Sequence, residues 1–201
     1  VRVDYEDVLQ RAVGAGYDSV MIDGSRLPLE ENIECTKRAV EIARSAGVPI
    51  EAELGAVMGH ETGPLPPYDE LFASGRGFSD PDEAKRFVEE TGVDWLSVAI
   101  GNVHGAISAA RKNEKKIEAR LDIARLDEIR AAVNVPLVLH GGTGISKGYI
   151  LESIRHGIAK VNVATAIRQP YEREGLEAVY PAMCTVIRED LEIEHSAELL
   201  K

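Results

Sequence analysis

Helical and extended stretches alternate along nearly the whole chain, and that rhythm restricts the architectures open to it. Tyr5 to Ala15 sets Val8, Leu9, Ala12 and Val13 on one helical face and stops at Gly16. Ser19-Val20-Met21-Ile22 then reads as a strand finishing in the carboxylate of Asp23 before Gly24. Asn32 to Ala46 is a second helix, closed by Gly47. The strand Val48 to Gly55 alternates apolar and charged positions, so a glutamate points where a core residue is expected. Gly59 to Ser79 shows little regular pattern and is expected to form a long loop, functional or mobile. Asp80-Pro81-Asp82-Glu83 carries a capping residue and a first-turn proline, opening a helix that runs to Gly92. Trp95 to Ile100 is a strand, Leu126 to Val133 a helix, Pro136 to Leu139 a strand and Ser146 to His156 a helix. Ala159 to Thr165 is the last strand, and helix follows. Five strands separated by helices define an α/β chain with a parallel sheet and right-handed crossovers. The sheet is either open or part of a (β/α)8 barrel. A complete barrel takes at least ~200 residues and eight strands. Five strands fall short.

Every strand leaves a polar group at its carboxyl end: Asp23, Glu53, His104, His140, and Asn162 with Thr165. Unpaired buried polar groups are costly, so core packing alone would place such residues there only once or twice. The ends of parallel strands converge on one mouth, where a metal or substrate can sit. His104 and His140 stand in equivalent contexts, each just past an apolar run and directly before glycine. Each alone reads equally well as a hydrogen-bonded histidine in a turn. Two imidazoles with one or two carboxylates make a zinc shell. A divalent metal held there acts as a Lewis acid, polarising a carbonyl and stabilising the enolate formed when a neighbouring C–C bond breaks.

His140-Gly141-Gly142-Thr143-Gly144-Ile145-Ser146 can cradle a phosphate, because glycines let backbone N–H groups approach closely and a helix starts at Ser146. Asn162-Val163-Ala164-Thr165 completes such a site from the next strand. The competing reading is that Asn162 and Thr165 cap the following helix.

Composition sets outer bounds. The chain has 201 residues, 44% hydrophobic and 28% charged, which describes one globular domain spanning 1–201. A net charge of −11 with no basic stripe argues against nucleic acid as a partner. Cys35 and Cys184 form no CxxC pair and suit a reducing, cytoplasmic compartment. No run approaches the ~20 apolar residues of a membrane span, so no membrane partner is expected.

The segments Ser19 to Ser25, Glu51 to Gly55, Val98 to Gly105, Leu137 to Gly142 and Lys160 to Thr165 together resemble the class II, zinc-dependent ketose-bisphosphate aldolases, the fructose- and tagatose-bisphosphate enzymes. The resemblance covers nearly the whole chain in order. It implies a TIM barrel, here with about five of its eight strands, and a lyase of carbohydrate metabolism acting in glycolysis. It implies a sugar phosphate as ligand, Zn2+ as cofactor with a second divalent or a monovalent cation, and a homodimer or homotetramer. By position it makes His104 and His140 zinc ligands, and Asp23 and Glu53 ligands of a second or alternative metal position. Gly105, Gly141, Gly142, Thr143, Asn162, Val163, Ala164 and Thr165 match residues holding dihydroxyacetone phosphate. Glu61 matches an acid on a mobile loop that assists proton transfer; a solvated loop carboxylate is the simpler alternative. His60 departs from the paired acids of some members, and His156 and His195 match no motif.

One departure matters more. The family's His-Leu-Asp-His supplies the catalytic aspartate and the remaining zinc histidine, and these two positions fall on Val1 and Arg2. Valine cannot move a proton and a guanidinium repels a cation. The expectation is that amino-terminal strands precede this stretch, which also begins without Met. Two other readings compete: a metal-dependent isomerase or epimerase of sugar phosphates, and a non-catalytic phosphate-binding remnant.

Overall fold

The computed structural model describes residues 4–57, 66–103 and 119–194. Five parallel strands pair strictly in chain order: β1 (Val20–Ile22), β2 (Ile50–Leu54), β3 (Trp95–Val98), β4 (Leu137–Leu139) and β5 (Ile158–Val161). A doubly wound sheet reverses its strand order at a switch point, whereas a barrel steps to the next neighbour each time. The observed order is the barrel's. Helices α1 (Tyr5–Gly14), α2 (Leu29–Ser45), α4 (Pro81–Thr91), α5 (Ile123–Ala132) and α6 (Lys147–Arg155) alternate with the strands, and α2, α4 and α5 pack side by side. Among the described residues, no helix is long and apolar enough to cross a membrane.

The period-two geometry of strands divides this sheet into two unlike faces. Ile22, Ile50, Ala52, Leu54, Leu96, Val98, Leu137, Leu139 and Ile158 face the helices and join Ile33, Val40, Phe87, Leu126, Ile129 and Ile150 in the core. Each large aliphatic side chain buried there contributes roughly 1.5–3 kcal/mol. The cross-strand register aligns the opposite face in rows. Met21, Glu51 and Trp95 lie side by side, as do Glu53, Ser97, Val138 and Lys160. A slip of one residue would bury the charges among the helices, so hydrophobic patterning holds this register.

The helix opened by Asp80 is observed as expected. The Asp80 carboxylate accepts from the N–H groups of Asp82 and Glu83 at 2.9 and 3.1 Å, and Gly92 ends the helix in the left-handed region. Two expectations need correction. Gly59 to Ser79 is not patternless, because its described part holds a short helix, α3 (Tyr68–Ser74), between Pro67 and a left-handed Gly75. Seven residues bury only Leu71 on this helix, which is too few for a periodic signal. The last strand stops at Val161 rather than Thr165, and Thr165 opens α7 (Thr165–Glu174). A bulge in the β4–β5 pairing lets two residues of β5 oppose one of β4, and the chain then turns away from the ladder. Beyond α7, α8 (Val179–Thr185) continues into one π-helical turn, Val186–Asp190.

Candidate active site on the inner sheet face

Four charged side chains from three strands meet on the inner face. The Nε2 atom of His140 lies 2.7 Å from Glu51 Oε1, and Nδ1 lies 3.2 Å from Glu53 Oε2. Lys160 donates to the other oxygen of Glu51 at 2.6 Å, with its ammonium 5.2 Å from the centre of the Trp95 ring. Glu51 and Glu53 are 1% and 3% exposed, so these carboxylates are withdrawn from water, and among the described residues their charged partners are His140 and Lys160. Burial alone would lower the His140 pKa, but hydrogen bonds to Glu51 and Glu53 raise it to about 9. Burial likewise opposes ionisation of Glu51, yet the His140 ring and Lys160 outweigh it and hold that carboxyl below its usual range. Two carboxylates thus face an imidazolium and an ammonium in a balanced quartet.

Neighbouring polar residues fix the backbone beneath these groups. Asn32 on α2 donates to the carbonyl of Glu53 at 3.1 Å, and accepts from the Thr36 hydroxyl. Gly24 is required for that contact, since a Cβ there would lie 2.0 Å from Asn32 Oδ1. Asn102 accepts from the N–H of Ile100 and donates to the carbonyl of His140 at 3.1 Å, tying the end of β3 to the end of β4. The Ser97 hydroxyl, buried in the same row as Glu53, has no partner among the described residues.

Asn162 and Thr165 do not cap α7. Its N-cap is Ala164, without a side-chain hydrogen bond, and the amide of Asn162 instead lies 2.8 Å from His140 Nε2. An ionised Glu51 needs a hydrogen on that same ring nitrogen, so the Asn162 amide then faces the ring with its oxygen. Thr143 reaches across from the glycine-rich turn, its hydroxyl accepting from the N–H of Ala166 at 3.1 Å. Among the described residues, the N–H groups of Gly141, Thr143, Val163 and Ala164 have no partner. Free donors beside a helix amino terminus form an anion cradle. Gly142 permits this convergence: a Cβ there would sit 2.9 Å from both Val161 Cγ1 and Val163 Cγ2. The expected helix start at Ser146 comes slightly later, at Lys147, behind a 3-10 turn over Gly142–Gly144.

The structure therefore brings together His140, Glu53, Asn162 and the glycine-rich turn. Asp23 ends β1 on the same face, where its carboxylate accepts from the N–H and hydroxyl of Ser25 at 3.0 and 2.6 Å. Desolvation pushes the Asp23 pKa up, but these two hydrogen bonds outweigh it and leave the group acidic. Glu61, His104, Gly105, His60, His195, Val1 and Arg2 lie outside the described residues. Sequence reasoning missed Glu51, Lys160, Ser97 and Asn102. Glu51 was findable, because it stands two residues before Glu53 and must share its face of the strand.

A sequentially ordered parallel sheet with its polar cluster on the inner face defines a barrel protein of the (β/α)8 class. The chain belongs to the class-II fructose-bisphosphate aldolase family, whose family model matches residues 3–192. Curated relatives include the fructose-bisphosphate aldolases of Staphylococcus epidermidis and Staphylococcus aureus (strain N315), each 44% identical over 156 residues. Each alignment takes in 78% of this chain and 49% of the relative, so the chain spans about half the length of the curated relatives it matches. Among solved structures, the YdjI aldolase of Escherichia coli K12 is 34% identical with a TM-score of 0.63, covering 92% of this chain and 62% of that one. A Coccidioides immitis protein provisionally assigned as a fructose-1,6-biphosphate aldolase is 31% identical with a TM-score of 0.75, covering 96% and 70%.

The family is metal-dependent, and the donor geometry here can be tested against that. Zinc bonds of ~2.0–2.2 Å to nitrogen and oxygen at a tetrahedral angle put two donors about 3.4 Å apart. His140 Nδ1 and Glu53 Oε2 are 3.2 Å apart, close to one edge of such a tetrahedron. That edge matches the length of one pair of zinc donors and equally the N–H···O ion pair that His140 and Glu53 make in this structure. Among the described residues, no group of three or more His, Cys, Asp or Glu side chains is arranged to hold a metal.

Proposed function

We propose that this protein serves in the reversible aldol cleavage of a ketose 1,6-bisphosphate, giving dihydroxyacetone phosphate and an aldehyde phosphate, with Zn2+ as its cofactor. The observation that carries this reading is the His140–Glu53 edge, beyond whose strands the N–H groups of Gly141, Thr143, Val163 and Ala164 have no partner among the described residues. A cation seated there supplies a Lewis acid for the ketone carbonyl. His140, with His104, is the imidazole pair assigned to zinc, while Glu53 and Asp23 are assigned to a second or alternative metal position. The backbone at Gly141, Thr143, Val163 and Ala164 grips phosphate by its free N–H groups, with Gly105, Gly142, Asn162 and Thr165 completing the grip. Glu61 is assigned to proton transfer on the family likeness alone. Ala164, where many fructose-bisphosphate aldolases carry Asp or Asn, leans the chain toward a tagatose-bisphosphate-type or less assigned branch of the family. A cytoplasmic homo-oligomer fits this family likeness, and exposed Leu176, Tyr180 and Met183 offer apolar surface to another chain.

The test is to incubate the product of the full coding sequence with fructose and tagatose 1,6-bisphosphates. Triose phosphate should be released, EDTA should stop the release, and added zinc should restore it. An isomeric ketose formed without cleavage would instead assign an isomerase or epimerase. Binding of dihydroxyacetone phosphate with no turnover would assign a phosphate-binding scaffold.

A further inference from the structure

Lys160 and Glu51 have no place in the roles assigned so far, yet they make a 2.6 Å contact on the inner face. Glu51 is almost wholly buried and uses both carboxylate oxygens, one on the His140 ring at 2.7 Å and the other on the Lys160 ammonium at 2.6 Å. Lys160 is itself steadied over Trp95, which stands beside Glu51 in the strand register. A carboxylate clamped at both oxygens cannot rotate, and a ring bonded to it at Nε2 is fixed in orientation. The ring nitrogen left to face Glu53 is Nδ1.

We infer that Lys160 and Glu51 are positioning residues, a strut from β5 through β2 that orients the His140 ring so that Nδ1 faces an incoming cation. The inference rests on the zinc reading proposed above. Hydrogen-bonded carboxylates behind metal-bound histidines commonly govern both ring orientation and affinity. Here the carboxylate has a positioner of its own. The sign of one effect separates positioning from simple electrostatics. Lys160 is positively charged, so on Coulombic grounds alone its removal should tighten cation binding. Acting as a strut, its removal should weaken it.

The experiment uses Lys160→Met, which keeps an apolar stem against Trp95, Glu51→Gln, and the double variant. An amide at position 51 must turn its NH2 group toward either the ring or the ammonium, both donors, so it cannot replace the carboxylate. Zinc affinity is measured by competition with a chromophoric chelator, and the His140 ring N–H signals are read by 15N NMR in the metal-free protein. Thermal melting confirms that each variant is folded. Each single variant should weaken zinc binding about 10–100-fold, and the double variant should be no weaker than the weaker single. The Nε2–H signal of the metal-free protein should move in both. Unchanged or tighter zinc binding in Lys160→Met with unmoved ring signals would overturn the inference. If the unaltered protein takes up no zinc, the zinc reading fails. The ring signals still decide the strut, supporting it if they move and overturning it if they do not.

Discussion

Replacing His140 by alanine is expected to abolish zinc binding and cleavage and to destabilise the metal-free fold by about 3–5 kcal/mol, the usual cost of leaving buried charges without their partner. The imidazolium lies between two carboxylates exposed by no more than 3%, and Glu53 would lose this charged partner entirely. Glu51 would keep only Lys160. The pH dependence gives this prediction a sign. The His140 pKa rises from 6.5 to about 9 on folding, so its contribution to stability is complete below pH 6.5 and is lost as pH climbs through about 9. Glu51 is shifted the opposite way; its contribution is present above the unfolded carboxylate value and is lost as pH falls through its lowered folded value. His140→Ala should therefore remove the alkaline loss of stability between pH 6.5 and 9. Zinc must displace the proton on Nδ1, so its affinity for the unaltered protein should rise with pH over the same window. Urea titrations at several pH values, with metal content measured by atomic absorption, check both. Full zinc content and unchanged stability in the variant would remove His140 from the site.

Gly24→Ala is expected to cost about 2–6 kcal/mol. Its new Cβ would lie 2.0 Å from Asn32 Oδ1 and 2.7 Å from Asn32 Cγ, well inside contact distance. Asn32 is 2% exposed and has little room to yield without releasing the carbonyl of Glu53. Overpacking contributes roughly 1–3 kcal/mol, and a buried carbonyl left without its donor contributes a similar amount. The two positions must then be strongly coupled. Asn32→Ala removes both the clash and the hydrogen bond, so adding Gly24→Ala to that background should cost little more. Denaturant unfolding of the two singles and the double reads this coupling directly. Additive losses would show that Gly24 and Asn32 do not act through one another.

Much of the fold is legible from residue order because the strands carry two different periodic signals. Aliphatic runs such as Leu137-Val138-Leu139 mark strand positions, and the glycines and Asp80 mark where helices stop and start. The alternation in Glu51-Ala52-Glu53-Leu54 also announces a strand with one polar face, and the structure places both glutamates there. Short elements are less legible. Helix α3 offers a single buried side chain, and the end of β5 depends on a bulge formed with another strand. Polar partnerships across the sheet are set by register rather than local sequence. Nothing between residues 51 and 160 indicates that Glu51 and Lys160 meet. Asn162 shows the same limit, since its neighbours favour a helix cap while the fold directs its amide toward His140.

We propose that His140 Nδ1 and Glu53 form one edge of the alternative zinc position on the inner sheet face. Crystals grown with zinc, measured just above and below the zinc absorption edge, locate the ion by its anomalous scattering. The peak should lie ~2.0–2.1 Å from His140 Nδ1, with Nε2 still bonded to Glu51. A peak elsewhere, with His140 still bridging Glu51 and Glu53, would contradict the claim.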